Sequence, residues 1–381
     1  TISGTAQAGL TVTANPGTWS GGQPIQYAYQ WRRCDTTGVD CIDISGATAQ
    51  SYVATTSDAG AALVVRVTAS NSAGSAAASS APTSAVTASS QPLGDPVIAT
   101  AGDIACDPIN SNFNGGAGTA TACQQEATSN LLTGGALTAV LPLGDNQYDC
   151  GGYNAYLQSY DPSWGRLKAI THPVPGNHEY ATTGTDCDST GGAAGYFRYF
   201  GAAAGDATKA YYSYDIGSWH LIALNSNCSS IGGCGAGSPE ETWLRTDLAA
   251  HANTCTIAYW HHPRFTSGES HVNDTEVASF WQDLYNAGAD IVLNGHVHGY
   301  ERFAPQDPNQ NYDPAHGIRE FVVGTGGEDF HGFTTPQPLS EVRQANTFGV
   351  LMLTLHATSY DWRFTPIAGT TFTESGTTYC H

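Results

Sequence analysis

Short apolar runs that end in a Gly or Pro turn recur along most of the chain. Five of them lead into Asp, Asn or His residues, and they span residues 97–102, 140–144, 174–176, 256–260 and 289–292. Runs of this length, bounded by turn residues, predict short buried β-strands. Because sites in open α/β sheets lie at the carboxyl ends of the strands, the five turns are candidates for one shared site.

Four segments show a helical pattern instead, and they span residues 126–132, 153–168, 239–251 and 276–287. In the last of them, apolar residues between Val277 and Leu284 recur at the spacing of a core-facing helix. Further strands are predicted within residues 210–226, 318–323 and 347–364. The alternation of strands and helices predicts an α/β domain.

The first 88 residues have a different composition, rich in Thr, Ala, Ser and Gly. Residues 10–13 and 63–68 alternate as half-buried strands do. Tyr27, Tyr29 and Trp31 also alternate, which places three aromatic rings on one strand face. The pattern predicts a small all-β sandwich of the immunoglobulin-like kind, with Trp31 in its core.

The composition also predicts where the domains end. Residues 89–95 contain the Pro, Gly and Ser residues typical of a linker. The predicted domains are therefore residues 1–88 and 96–381, joined by this linker. The first domain could serve as a spacer or make cell-wall or polysaccharide contacts, and the sequence leaves both open.

The charge balance excludes several classes of partner. The chain has 33 acidic and 13 basic residues, for a net charge of −20. Binding to nucleic acid or to an anionic membrane relies on basic patches, so neither is expected. No stretch approaches the roughly 18 apolar residues of a membrane span. An anionic substrate would have to be attracted by local positive charge, for which metal ions are the obvious source.

The ten Cys residues indicate an oxidising compartment. None lies in a paired C-x-x-C zinc pattern, so we expect disulfides and a secreted, extracellular protein. One possible pairing joins neighbours in the sequence, Cys34 with Cys41, Cys106 with Cys123, Cys150 with Cys187 and Cys228 with Cys234, which leaves Cys255 with Cys380. Other pairings remain possible at this point. The start at Thr1, without Met or signal peptide, is that expected of a processed chain.

The densest cluster of candidate ligands is the turn at residues 293–302. His296 and His298 are two positions apart, and extended backbone directs such side chains the same way. Two imidazoles in this arrangement can reach two adjacent metal ions or opposite sides of one.

Together, the strand-end motifs resemble those of the purple acid phosphatases, which belong to the calcineurin-like metallophosphoesterases. The matching blocks are Gly102-Asp103, Gly144-Asp145-Asn146-Gln147-Tyr148, Gly176-Asn177-His178-Glu179, Tyr259-Trp260-His261 and Gly295-His296-Val297-His298. The resemblance covers about residues 96–365. It implies a four-layer α/β/β/α metallophosphoesterase sandwich for this region.

The resemblance also implies two metal ions per chain. One ion would take Asp103, Asp145, Tyr148 and His298, and the other would take Asp145, Asn177, His261 and His296. Asp145 would bridge the two ions. This set of oxygen and nitrogen ligands without sulfur suits iron, zinc or manganese.

Tyr148 indicates the subfamily and the metals. Most metallophosphoesterases carry His two residues after the first Asp, where this chain has Ala105, and Tyr148 can supply the missing ligand. A phenol has an ordinary pKa of about 10, so binding as phenolate requires a strongly acidic cation. We therefore expect Fe³⁺ together with Zn²⁺, Mn²⁺ or Fe²⁺.

The implied reaction is hydrolysis of small phosphate monoesters through a metal-bound hydroxide. His178 and His271 are the candidates to donate a proton to the leaving group. Glu179 is expected to orient His178. His262 is expected to have a structural role, as are the histidines without motif context, including His331.

Two other functions remain open. A phosphodiesterase or nucleotide hydrolase would use the same ligands, because loops such as residues 184–206 and 226–239 set the substrate size. A wall-binding protein could carry the phosphatase domain as a passenger, although the complete ligand set argues against an inactive scaffold.

Overall fold

The computed structural model describes residues 1–8, 10–87, 95–184, 187–188, 191–251 and 255–381. The chain divides into two compact units, Thr1–Gly94 and Asp95–His381. Of the predicted linker, residues 89–94 lie outside the described residues and Asp95 lies inside them.

The N-terminal unit is built from short strands around one core. The strands are β1 (Ile2–Ser3), β2 (Thr11–Ala14), β3 (Gln26–Cys34), β4 (Ile42–Asp43), β5 (Ser51–Val53), β6 (Ala62–Asn71) and β7 (Gly74–Ser79). They form two antiparallel sheets, in the orders β1-β2-β5 and β4-β3-β6-β7. Trp31 is fully buried among side chains from both sheets, such as Val12 and Val65, and this residue organises the core. A short 3₁₀ helix spans Thr56–Asp58.

The second unit contains two larger sheets. Its strands are β8 (Val97–Ala101), β9 (Ala139–Pro142), β10 (Tyr212–Ile216), β11 (Trp219–Ala223), β12 (Cys255–Tyr259), β13 (Ile291–Asn294), β14 (Tyr300–Phe303), β15 (Arg319–Val323), β16 (Ser340–Gln344), β17 (Gly349–Leu355), β18 (Ser359–Pro366) and β19 (Glu374–Tyr379). The strand orders are β10-β11-β12-β13-β15-β14-β16 and β19-β18-β17-β8-β9. The pairs β8–β9, β11–β12, β12–β13 and β13–β15 are parallel, so their carboxyl ends lie at common edges.

Helices flank these sheets. The α-helices are α1 (Gln125–Leu132), α2 (Tyr153–Ala155), α3 (Asn177–Tyr180), α4 (Ala194–Phe200), α5 (Cys228–Ile231), α6 (Pro239–Ala250) and α7 (Ala278–Asn286). Short 3₁₀ helices lie at Asn114–Gly116, Trp164–Ile170 and Gly201–Ala204. None of the helices in the described part of the chain combines the length and apolarity needed to cross a bilayer.

The seven-stranded sheet has an apolar layer on each face. On β11, Leu221 points into the layer shared with the five-stranded sheet, whereas Ile222 points toward the layer that includes α6 and α7. Both faces are buried, and this explains why such strands form continuous apolar runs in the sequence. Helix α1 packs on β17 of the other sheet. The unit is therefore a mixed α/β fold with helices outside two packed sheets, as expected.

Two predicted elements were wrong. The helix predicted at residues 153–168 is broken into three elements. They are α2, a short π-helix at Tyr156–Tyr160 and the 3₁₀ helix at Trp164–Ile170. Pro162 lies at the break, where it lacks an amide donor and crowds the preceding turn. The strand predicted at residues 174–176 is a single bridge between Val174 and Leu143. Pro173 and Pro175 flank Val174, and neither can donate to a strand ladder.

The disulfide pairing suggested from the sequence is confirmed. The five bridges are Cys34–Cys41, Cys106–Cys123, Cys150–Cys187, Cys228–Cys234 and Cys255–Cys380. The last one closes a loop of 125 residues, the longest of the five. A cross-link over a long loop restricts the unfolded chain most, so this bridge is expected to contribute most to stability.

Candidate metal centre

The predicted ligands lie where neighbouring strands end. Asp103 follows β8, Asp145 follows β9, His261 follows β12 and His296 follows β13. Asp103, Asp145 and His296 have φ angles of 59°, 45° and 69°, in the left-handed region. Residues other than Gly rarely adopt this conformation, and it persists only where the surrounding structure holds it. At these left-handed residues the backbone reverses shortly after each strand ends. The side chains of Asp103, Asp145 and His296 are thereby directed to one point.

The first group of donor atoms surrounds the hydroxyl oxygen of Tyr148. This oxygen lies 3.0 Å from Nε2 of His298, 3.1 Å from Oδ1 of Asp103 and 3.2 Å from Oδ2 of Asp145. All four residues are at least 94% buried. Two carboxylates, a phenol and an imidazole therefore share one small space.

The second group surrounds Nε2 of His261. This nitrogen lies 3.0 Å from Oδ1 of Asn177, 3.1 Å from Nδ1 of His296 and 3.1 Å from Oδ2 of Asp145. Asn177 is the first residue of α3, directly after the Gly176 turn. The same carboxylate oxygen of Asp145 therefore belongs to both groups of donor atoms.

The negative charges of the carboxylates in this space are not balanced by Lys or Arg side chains of the described residues. Among the described residues, neither Asp103 nor Asp145 forms an ion pair with Lys or Arg. Burial alone would lower the pKa of His261 and His298, but Asp145 and Asp103 outweigh it and raise these pKa values to about 9 and about 10. Burial and the same two carboxylates raise the pKa of Tyr148 far above its usual range. Metal cations could replace these protons, and the oxygen and nitrogen donors suit iron, zinc or manganese.

Two of the predicted ligand imidazoles are held in a defined tautomer. Nδ1 of His261 donates to the carbonyl oxygen of Leu143 at 2.8 Å, which leaves Nε2 free on the side of the other ligands. Nδ1 of His298 donates to Asp329 Oδ1 at 2.5 Å, with the same effect. This second hydrogen bond is typical of metal-binding histidines. Asp329 was missed in the sequence, although the glycine-rich turn after β15 follows the same pattern as the other strand ends.

Glycine is required at two of the turns. Gly144 has a φ of +83°, and a Cβ there would lie 2.6 Å from Nδ1 of His261. A Cβ on Gly176 would lie 2.2 Å from Oδ1 of Asp145. Both distances are far below van der Waals contact, so these turns can approach the ligands only without a side chain.

Comparison with known proteins finds relatives of this chain. A family model described as calcineurin-like phosphoesterase matches residues 115–300. Purple acid phosphatase 15 of Arabidopsis thaliana is 30% identical over 184 residues, covering 45% of this chain and 33% of that protein. Purple acid phosphatase 21 of the same plant is 30% identical over 213 residues, covering 50% of this chain and 47% of that protein. The chain thus spans less than half the length of these curated relatives.

A solved structure gives the same result for the fold. Purple acid phosphatase PPD1 from yellow lupin (Lupinus luteus) superposes with a TM-score of 0.61 at 16% identity, covering 97% of this chain and 72% of that chain. Residues 115–300 of this chain are therefore similar to calcineurin-like phosphoesterases.

His178 lies beside the predicted ligands Tyr148 and Asp145. Its ring packs 4.3 Å from the ring of Tyr148, and its Nε2 lies 4.0 Å from Oδ2 of Asp145. Nδ1 of His178 is 2.5 Å from the carbonyl oxygen of Asp149, to which it donates. A third of the side chain is exposed, so the ring can contact a bound molecule.

The role expected for Glu179 was wrong. Instead of orienting His178, its carboxylate accepts backbone N–H bonds from Asn146, Gln147 and Gly176, at 2.7–3.1 Å. It also accepts the hydroxyl of Tyr156 at 3.0 Å. Glu179 therefore ties the turn after β9 to the turn before α3, and these turns carry three of the predicted ligands.

Three other histidines lie near the two groups of donor atoms. Nδ1 of His262 is 2.8 Å from Oγ of Ser226, and a ring nitrogen of His262 also lies within 4.8 Å of ring nitrogens of His261 and His296. The purely structural role expected for His262 therefore stays a prediction. The ring of His271 lies 3.9 Å from that of His296. The ring of His331 lies 3.9 Å from that of His298, in a position that the sequence did not indicate.

Replacing Asp329 by Ala is expected to weaken metal binding about 10- to 100-fold, because His298 loses the partner that fixes its tautomer. Asp329→Asn retains an acceptor and should keep more of the affinity. Titration against a chelator of known affinity measures both, with Glu276→Ala as the exposed control. Wild-type affinity in Asp329→Ala would mean that His298 does not depend on this carboxylate.

Proposed function

We propose that this chain is a secreted, dinuclear metal-dependent phosphomonoesterase of the purple acid phosphatase type. The observation that supports this most is the position of Asp145. Its Oδ2 lies 3.2 Å from the Tyr148 oxygen and 3.1 Å from Nε2 of His261, so one carboxylate oxygen adjoins both groups of donor atoms. A carboxylate in this position suits two adjacent cations better than one.

The residues assigned to each cation follow from the two groups. Asp103, Tyr148 and His298 would hold one ion, while Asn177, His261 and His296 would hold the other, with Asp145 between them. Since burial and carboxylates oppose ionisation of Tyr148, a strongly acidic ion such as Fe³⁺ is proposed on its side. Zn²⁺, Mn²⁺ or Fe²⁺ would occupy the other side. When bound, such a pair supplies Lewis acidity toward water and phosphate.

The chain itself would supply the proton for the leaving group. The carbonyl oxygen of Asp149 keeps a proton on Nδ1 of His178, so Nε2 is the atom that faces a bound ester. A proton held at Nε2 could pass to the leaving oxygen as the bond to phosphorus breaks. His271, whose ring covers His296, is the second candidate for this role.

The proposal extends to the place and the organisation of the protein. The five disulfides support an extracellular location, because such bonds persist in oxidising compartments. We assign residues 1–88 to an immunoglobulin-like spacer domain, residues 89–95 to a linker and residues 96–381 to the catalytic domain. Cell-wall or polysaccharide contact by the first domain is the alternative to a plain spacer.

The substrate class is tested by comparing an aryl phosphate monoester with a bis-aryl phosphate diester. We expect the monoester to have the higher kcat/KM by about 10-fold or more, since an additional hydrogen bond to a charged oxygen is worth about 1.5–3 kcal/mol. Faster hydrolysis of the diester would instead support the phosphodiesterase alternative. No hydrolysis of either ester by the metal-loaded protein would contradict the proposed function.

A further inference from the structure

A second pair of imidazoles lies directly on the two histidines of the Gly-His-Val-His turn. The ring of His271 lies 3.9 Å from that of His296 and is tilted by 38°. The ring of His331 lies 3.9 Å from that of His298 at an angle of 6°, so the two are stacked flat. The outer rings are themselves 5.1 Å apart. They form an outer imidazole layer over two of the proposed metal ligands.

The two loops that carry this outer layer are bonded to each other. Gly268 and Phe333 form an antiparallel bridge between them. The amide of Glu269 donates to the carbonyl oxygen of Gly332 at 3.0 Å, and the amide of Gly332 donates back to Oε1 of Glu269 at 2.9 Å. The bridge and the hydrogen bonds between the two loops therefore fix the positions of the outer rings. Precise contact with a bound group requires such fixed positions.

His331 has hydrogen-bonding capacity that the described chain does not use. Its Nδ1 is buried and has no partner among the described residues, although 23% of the side chain is exposed. Neutral imidazole carries a proton on one nitrogen only. Buried N–H groups without partners are rarer than buried acceptors without partners. The proton therefore belongs on Nε2. The nearby Oδ1 of Asp329 is 3.7 Å from Nε2, beyond hydrogen-bond distance, so this N–H is free to donate.

We propose that His331 contacts the phosphoryl group of the substrate and selects phosphate monoesters over diesters. The proposal rests on the phosphoesterase function inferred above. Nε2 of His331 donates to a non-bridging phosphate oxygen beside His298. A monoester has three such oxygens and a diester has two, and the monoester oxygens carry more charge. A donor added to the site therefore favours the monoester.

The test compares the full-length, metal-loaded wild type with His331→Ala and His331→Asn. The exposed His316, whose side chain is 74% exposed, provides the control variant His316→Ala. We expect kcat/KM for the aryl monoester to fall about 10-fold in His331→Ala, while that for the diester changes less. The dissociation constant of inorganic phosphate, measured by calorimetry, should rise by a similar factor. His331→Asn retains an N–H donor and should recover part of both losses.

The outcomes separate this inference from the proposed function. If the wild type is active but His331→Ala keeps both the ester preference and the phosphate affinity of the wild type, only the role of His331 is refuted. If His331→Ala loses bound metal together with activity, the residue supports His298 instead, which also refutes the inference. If the wild type hydrolyses neither ester, the proposed function and this inference fail together.

Discussion

Asp145→Asn is expected to reduce kcat/KM for an aryl phosphate by about 10³-fold or more, equivalent to about 4 kcal/mol. The substitution preserves the size of the side chain and removes its negative charge. Oδ2 of Asp145 is the atom shared by the two groups of donors, so both proposed metal positions lose a charged ligand at once. Steady-state kinetics and metal analysis on the same preparation would measure the effect.

The control for this variant is Asp206→Asn, which changes an exposed loop carboxylate distant in sequence from every ligand. It should retain wild-type kinetics and metal content. Unfolding temperature should be measured on both variants, since a misfolded Asp145→Asn would also be inactive. A folded Asp145→Asn with near-wild-type activity would contradict the assignment of Asp145 as the bridging ligand.

Glu179→Gln is expected to lower the free energy of unfolding by about 2–4 kcal/mol, because buried backbone donors lose a charged acceptor. Oε1 accepts from the amides of Asn146 and Gln147, and Oε2 accepts from the amide of Gly176. Either orientation of the Gln amide therefore places its NH₂ group against a backbone N–H. The variant should also bind metal more weakly, since the turns that it holds carry Asp145 and Asn177.

Urea unfolding followed by tryptophan fluorescence measures this loss. Glu126→Gln is the matched control. It makes the same change from Glu to Gln at an exposed position on α1, without the buried contacts. The control should be within about 0.5 kcal/mol of wild type. Equal stability of Glu179→Gln and Glu126→Gln would show that the carboxylate does not hold the two turns together.

The part of the site that is local in sequence could be predicted from the sequence. Asp103, Asp145 and His296 each follow an apolar strand and a glycine, so the strand and the candidate ligand are found in one short motif. The rule that parallel strands end at one edge predicted that the turns after β8 and β9 lie together, as do those after β12 and β13. It did not predict that these two pairs of strands belong to different sheets, or that residues 174–176 form no strand. The left-handed backbone conformation of Asp103, Asp145 and His296 could not be predicted, because no sequence pattern distinguishes left-handed Asp and His residues from others.

Features that depend on distant loops could not be predicted. Asp329 accepts a hydrogen bond from His298 and the ring of His331 stacks on it, although His298 lies about 30 residues earlier. The loop that carries His331 is joined to another loop by the bridge between Gly268 and Phe333. Nothing in the sequence near His331 marks this pairing. Glu179 was misread for a similar reason, because its partners Asn146 and Gln147 lie on another turn. The predicted helix at residues 153–168 failed because periodicity was given more weight than Pro162.

The most direct test of the dinuclear centre is metal content together with the visible spectrum of the reconstituted protein. We expect two metal ions per chain, one of them iron, and a broad visible absorption band that disappears in Tyr148→Phe. Tyr312→Phe, which alters a tyrosine that is 61% exposed, should keep the band. Two ions without colour would contradict the ferric–phenolate assignment of Tyr148. Fewer than two ions after metal loading would contradict the dinuclear centre itself.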